Sequence, residues 1–193
     1  MDPGSLERSR SEPARGFRRL GEEPVYAGHV ISLAVGTFEA PDGSAFARDI
    51  VHHPGAVSVV PLLDDDTVIM VRQYRAALDT LLLEIPAGKR DVADEPPELT
   101  AHRELEEEVG YRAGRLDLLA QFHNSAGFSD ERSYVYLGRD LTETALDLQG
   151  IEEQHMTVER IRLDDVPAMI ARAELTDAKS IIGLTLTMQH LGR

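Results

Sequence analysis

Across residues 25–60 the apolar positions fall in short β-branched runs broken by turn chemistry: VYAGHVISLAVGTFEA, the turn PDGS, then FARDIVHHPG. That pattern predicts strands. Apolar runs at 56–61 and 67–71 flank residues 62–66, where Asp64, Asp65 and Asp66 read as a hairpin turn rather than a metal cluster. Another strand is expected over 81–85, closed by Pro86. An acidic loop containing proline then leads into a helical segment that stops at Gly110. Beyond it the pattern predicts strands at 116–123, 134–137 and 158–163, then helices at 166–173 and 178–189 separated by ELTD. The composite is α+β, with strands on both sides of one central helix and no internal repeat. A chain of 193 residues has room for one sizeable core and one appended element.

Composition narrows the chemistry. Lys and Arg total 20 against 34 Asp and Glu, a net charge of −14, which opposes nonspecific binding to nucleic acid or to an anionic membrane. With no cysteine, disulfides, thiolate zinc sites and cysteine nucleophiles are excluded together. No apolar stretch is long enough for a membrane span. The N-terminal MDPGSLERSRSEPARGF lacks the apolar core of a secretory signal, and Asp2, Glu7 and Glu12 argue against a transit peptide. Residues 1–16 are therefore expected to be a tail, and the protein to be cytoplasmic.

The segment before Gly110 carries the chemistry. Pro96 and Pro97 suit the first turn of a helix, Asp94 and Glu95 complement its positive end, and Gly110 supplies the stop. At about 100° per residue, with Glu104 at zero, Glu107 lies near −60° and Glu108 near +40°, so three carboxylates share one arc. Leu105 and Val109 define the buried side, so the acids are expected to face outward. Like charges at i,i+3 and i,i+4 destabilise a helix, and only Arg103 lies near to offset them. A cluster of this kind binds hard divalent cations through oxygen, and such a cation can bridge a substrate's phosphates.

The run Gly88, six residues, Glu95, seven residues, Arg103-Glu104-Leu105-Glu106-Glu107-Glu108-Val109-Gly110-Tyr111 resembles the Nudix box. The spacing from Gly88 to Glu95 is one residue longer than the family pattern, and Tyr111 replaces an aliphatic residue. The resemblance implies an α/β/α sandwich with a mixed sheet, an N-terminal antiparallel β extension and an Mg²⁺-dependent hydrolase, with Mn²⁺ as a substitute. It assigns Glu104, Glu107 and Glu108 to the metal, with Glu107 also in the catalytic group. Gly88, Glu95, Arg103 and Gly110 become structural members of the box, Arg103 and Glu95 bracing loop against helix.

Residues outside the box resemble the subgroup that hydrolyses ADP-ribose and related nucleoside diphosphate sugars. Leu83-Glu84-Ile85-Pro86-Ala87-Gly88 leads into the box as in that subgroup, which implies the Ala87 carbonyl as a metal ligand. Val71-Arg72-Gln73-Tyr74-Arg75 implies Arg75 as a phosphate ligand, a surface salt bridge being the plainer reading. Ser125-Ala126-Gly127-Phe128-Ser129-Asp130-Glu131 resembles the substrate loop, implying contacts from Ser129 and Glu131. Ala126 stands where that subgroup usually has proline.

Gly150-Ile151-Glu152-Glu153-Gln154-His155-Met156 occupies the place of the mobile catalytic loop, with Glu152 as general base and Glu153 as the alternative. In the subgroup that this sequence resembles, the counterpart of residues 17–52 is a small sheet exchanged between two subunits, so the resemblance implies a homodimer, with the hydrolase domain over 53–193. The implied reaction is hydrolysis of ADP-ribose to AMP and ribose 5-phosphate. The alternatives are GDP-mannose, NADH or diadenosine polyphosphate as substrate, or a non-catalytic nucleotide-sensing domain. The last usually loses box glutamates that this sequence retains.

Overall fold

The computed structural model describes residues 14–146 and 151–193, and the side chain of Glu152 lies outside the described set. Apart from its last three residues, the expected tail also lies outside that set. The chain divides into two compact units: residues up to His53 together with Gly127–Asp130, and Pro54–Ala126 together with Glu131–Arg193.

The first unit is an antiparallel sheet of β1 (Arg18–Ala27), β2 (Ser32–Glu39) and β3 (Ala45–His52), with β2 central. Its β2–β3 turn is the one expected at PDGS, where Asp42 accepts from the Ser44 N–H at 3.0 Å. Gly127–Asp130 groups with this sheet, although it lies within the sequence range of the hydrolase domain. The Val51 N–H donates to the Phe128 carbonyl at 2.7 Å and the Asp130 N–H to the Val51 carbonyl at 3.2 Å. His52 Nδ1 meets Asp130 Oδ2 at 2.5 Å, while its Nε2 meets Glu22.

The second unit holds two sheets. One is four-stranded, in the order β7 (Ala87–Lys89), β4 (Ala56–Pro61), β9 (Arg132–Glu143), β8 (Tyr111–His123), with β4 and β9 parallel and the other pairs antiparallel. The other is antiparallel, with β5 (Thr67–Arg75) between β10 (Thr157–Arg162) and β6 (Thr80–Glu84). The aspartates at 64–66 do make a turn, but β4 and β5 separate into different sheets, so the expected hairpin is reduced to a single bridge between Leu62 and Val68.

Among the described residues four α-helices complete the unit: α1 (Pro97–Val109), α2 (Ile151–Gln154), α3 (Val166–Ala171) and α4 (Ala178–His190). The strands read as continuous apolar runs because both of their faces are covered. Val57, Val59, Ile69, Val71 and Tyr136 pack with Ala101, Leu105 and Val109 of α1. The alternate residues Val60, Val68, Met70, Val135 and Leu137 pack with Val166 of α3 and Leu184 of α4. Helices on opposite faces of the strands make the α/β/α sandwich. Complete burial of one side chain such as Leu105 contributes about 2 kcal/mol to holding α1 in place.

Candidate active site

Helix α1 starts and stops where its residues dictate. Pro96 caps it in extended conformation and Pro97 opens the first turn, where a missing N–H leaves no bond unmade. Gly110 ends it at φ 68° and ψ 37°, a left-handed geometry that a side chain would resist, and its N–H donates to the Glu106 carbonyl at 3.1 Å.

The carboxylates do not face outward as their arc suggests. Glu104 is 9% exposed and Glu108 4%, and only Glu107 is half-buried. The reason lies in β7, which α1's sequence does not reveal. The Ala87 N–H donates to Glu108 Oε2 at 2.9 Å. The Glu104 carboxylate lies so close over Gly88 that a Cβ there would overlap it. The glycine of the box is thus a matter of close approach, and its backbone needs no unusual conformation.

Arg103 ties the surrounding acids together. Its Nη1 lies 2.8 Å from Glu104 Oε1 and 3.0 Å from Glu107 Oε2, and its Nη2 lies 3.5 Å from both Glu95 Oε2 and the Lys89 carbonyl. Glu95 also accepts from Thr100 Oγ1 at 2.8 Å. One guanidinium does not balance this much buried negative charge. Burial pushes the Glu104 carboxyl up to about 7, with Arg103 opposing and Glu107 and Glu153 adding to the rise. Burial likewise pushes Glu108 up to about 8, opposed by the Ala87 N–H and Arg75 and reinforced by Glu104 and Glu153. Two carboxylates in this condition are short of a cation. Their oxygen donors fit a hard divalent ion such as Mg²⁺. Among the described residues no three such groups already converge on one point.

On the loop side the structure brings Glu153 within electrostatic reach of both Glu104 and Glu108. The Glu152 side chain lies outside the described residues. Arg75 is bound to Glu84, and Glu84 is buried, so the pair is not the surface salt bridge of the plainer reading. Ser129 belongs to the first unit, bridged to Val51, and Glu131 to the second, where its carbonyl lies 3.0 Å from His123 Nδ1. Ala126 sits in an exposed turn.

Lys179 also pairs with Glu84 beside Arg75, and no sequence motif singles out either residue. Lys179 did leave a signal, since a lysine in the first turn of a helix opposes the helix dipole and needs another partner. Glu84 left another, as the lone acid within the strand TLLLE.

Residues 52–182 match the NUDIX domain. The chain belongs to the NUDIX family. Among NUDIX relatives, an ADP-ribose pyrophosphatase of Bacillus subtilis (strain 168) is 39% identical over 163 residues, covering 84% of this chain and 88% of that protein. An ADP-ribose pyrophosphatase of Mycobacterium tuberculosis (strain ATCC 25618 / H37Rv) is 36% identical, covering 87% and 81%. A methanol dehydrogenase activator of Bacillus methanolicus is also 36% identical, covering 86% and 90%. A solved structure described as an ADP compounds hydrolase shares the NUDIX fold with a TM-score of 0.81 at 21% identity, covering 94% of this chain and 97% of that one. Among the described residues no helix is long and apolar enough to cross a membrane.

Proposed function

We propose that this NUDIX protein hydrolyses the pyrophosphate of ADP-ribose, releasing AMP and ribose 5-phosphate. The observation that carries the reading is the pair of buried, undercompensated carboxylates Glu104 and Glu108 on one helix face, with Arg75 in electrostatic reach of Glu108. The two ADP-ribose pyrophosphatases among its relatives favour this substrate.

In this reading Glu104, Glu107, Glu108 and the Ala87 carbonyl hold Mg²⁺, with Mn²⁺ as a substitute. The metal, when bound, neutralises phosphate charge and acidifies the attacking water. Arg75 orients a phosphate, and Glu131 contacts the substrate. Glu153, within electrostatic reach of the carboxylates, takes the proton of the water as its oxygen bonds to phosphorus and the bridging P–O bond breaks; Glu152 is the alternative base. The second reading is another nucleotide sugar or dinucleotide, carried by Ala126 in the substrate loop. A panel of ADP-ribose, GDP-mannose, NADH and diadenosine polyphosphate at fixed Mg²⁺ is expected to give the highest kcat/KM with ADP-ribose. Equal or higher kcat/KM with any of the others overturns the substrate assignment.

A homodimer is part of the proposal. Strand β1 is exposed along its whole length, and Leu20, Val25 and Tyr26 are each more than half exposed, an unusual amount of apolar surface for an edge strand facing water. A second copy covering this strand accounts for it. Light scattering behind size exclusion is expected to return twice the chain mass, and a Val25→Lys variant the single mass. A monomeric parent protein removes this part of the proposal.

A further inference from the structure

Glu84 closes β6 with its side chain 1% exposed, and two cations share it. Arg75 donates to it through Nε at 2.6 Å and Nη2 at 2.7 Å, while Lys179 reaches the same Oε2 from α4. Burial pushes the Glu84 carboxyl up, but Arg75 and Lys179 outweigh this and hold it below its ordinary value. Lys179 is itself only 16% exposed.

The first turn of α4 is stitched to the same strand end. Asp177 caps the helix, with Oδ2 accepting from the Ser180 N–H at 2.9 Å and from Ser180 Oγ at 2.5 Å. Ser180 Oγ in turn accepts from the Ile85 N–H at 2.8 Å. The chain then runs through Pro86 to Ala87 and Gly88, the backbone that lies over Glu108 and Glu104.

The charges explain why a second cation matters. A buried carboxylate bound to Arg75 alone would cancel that arginine's charge. With Lys179 on the same carboxylate, the three groups carry one excess positive charge. Asp177 Oδ1 lies 3.0 Å from Lys179, and Asp177 and Glu108 also act on Arg75, so the wider cluster carries no excess positive charge; what Lys179 changes is how much of Glu84 falls to Arg75 alone. Arg75 spends Nε and Nη2 on Glu84, its guanidinium has three further N–H groups, and its side chain is 40% exposed.

We propose that Lys179 is a positioning residue for substrate phosphate, sharing Glu84 with Arg75 so that the carboxylate does not draw on the guanidinium alone and the outer N–H groups of Arg75 stay available to a diphosphate. This rests on the proposed function in that the substrate is a nucleoside diphosphate compound. Lys179 touches no substrate; it acts through Glu84 and Arg75.

The test is the division of effect between KM and kcat for ADP-ribose at saturating Mg²⁺. Lys179→Met is expected to raise KM about tenfold with kcat changed less than about twofold, and Lys179→Arg to return KM to within about threefold of the parent. The inhibition constant of ADP should rise in parallel with KM. Should Lys179→Met fold poorly by circular dichroism, Lys179→Gln keeps a donor without the charge and is read in the same way. An unmoved KM in a folded variant, a loss confined to kcat, or equal behaviour of Met and Arg at position 179 overturns the inference while leaving the proposed function standing. A parent protein that hydrolyses no nucleoside diphosphate compound overturns both.

Discussion

In a Glu108→Gln variant, turnover of ADP-ribose falls by about three orders of magnitude or more, while the metal-free protein is at least as stable as the parent at pH 9. The two halves have one cause. Glutamine preserves the shape of the side chain and an oxygen that can accept from the Ala87 N–H, now bound at 2.9 Å, so the strand over the helix keeps its anchor. What disappears is a charge that burial makes unfavourable. An ordinary glutamate ionises near 4.5, whereas burial pushes Glu108 up to about 8 and Glu104 up to about 7. Between pH 4.5 and 8 the native state therefore retains protons that the unfolded chain has released, and metal-free stability falls as pH rises through this window.

Divalent cations reverse the trend. Their binding expels those protons, so stabilisation by Mg²⁺ grows with pH. The variant should show a shallower loss of Tm from pH 5 to pH 9 without metal and little gain of Tm on adding Mg²⁺. Turnover near that of the parent, or an unchanged pH slope, would remove Glu108 from the centre of the site.

Gly88→Ala is expected to lower kcat by about two orders of magnitude or more with only a small loss of stability. The added methyl overlaps the Glu104 carboxylate, not backbone. A carboxylate is the free end of a flexible side chain and can swing away, so the fold survives the substitution, but Glu104 leaves the niche beside Glu108. Kinetics and thermal unfolding on the same preparation separate the two effects. A large fall in Tm with kcat preserved in the folded fraction would mean that the glycine serves the fold rather than the placement of Glu104.

Much of α1 was legible in the sequence because its determinants are local. Pro97 and Gly110 bound the helix through conformations that these residues favour on their own. The spacing of Glu104, Glu107 and Glu108 puts them on one arc whatever the surroundings. The strands were legible as apolar runs, but their pairing was not. The turn at residues 64–66 looks the same whether its strands pair or part, and here β4 and β5 part into two sheets. Segment 127–130 sits well downstream of β3 in sequence, yet Val51 and His52 hold it. Glu84 and Lys179 are 95 residues apart, and no periodicity links them.

Local sequence was enough to say which side chains share a face of α1, where that helix begins and ends, and that its chemistry is carried by oxygen donors. The burial of Glu104 and Glu108, the contact of Gly88 with Glu104, and the sharing of Glu84 by Lys179 came from the folded chain alone. The physical division is between geometry and environment. Helical periodicity follows from backbone dihedrals within a few residues, whereas desolvation and ion pairing depend on what folds over that face, and the covering strand and the opposing helix come from elsewhere in the chain.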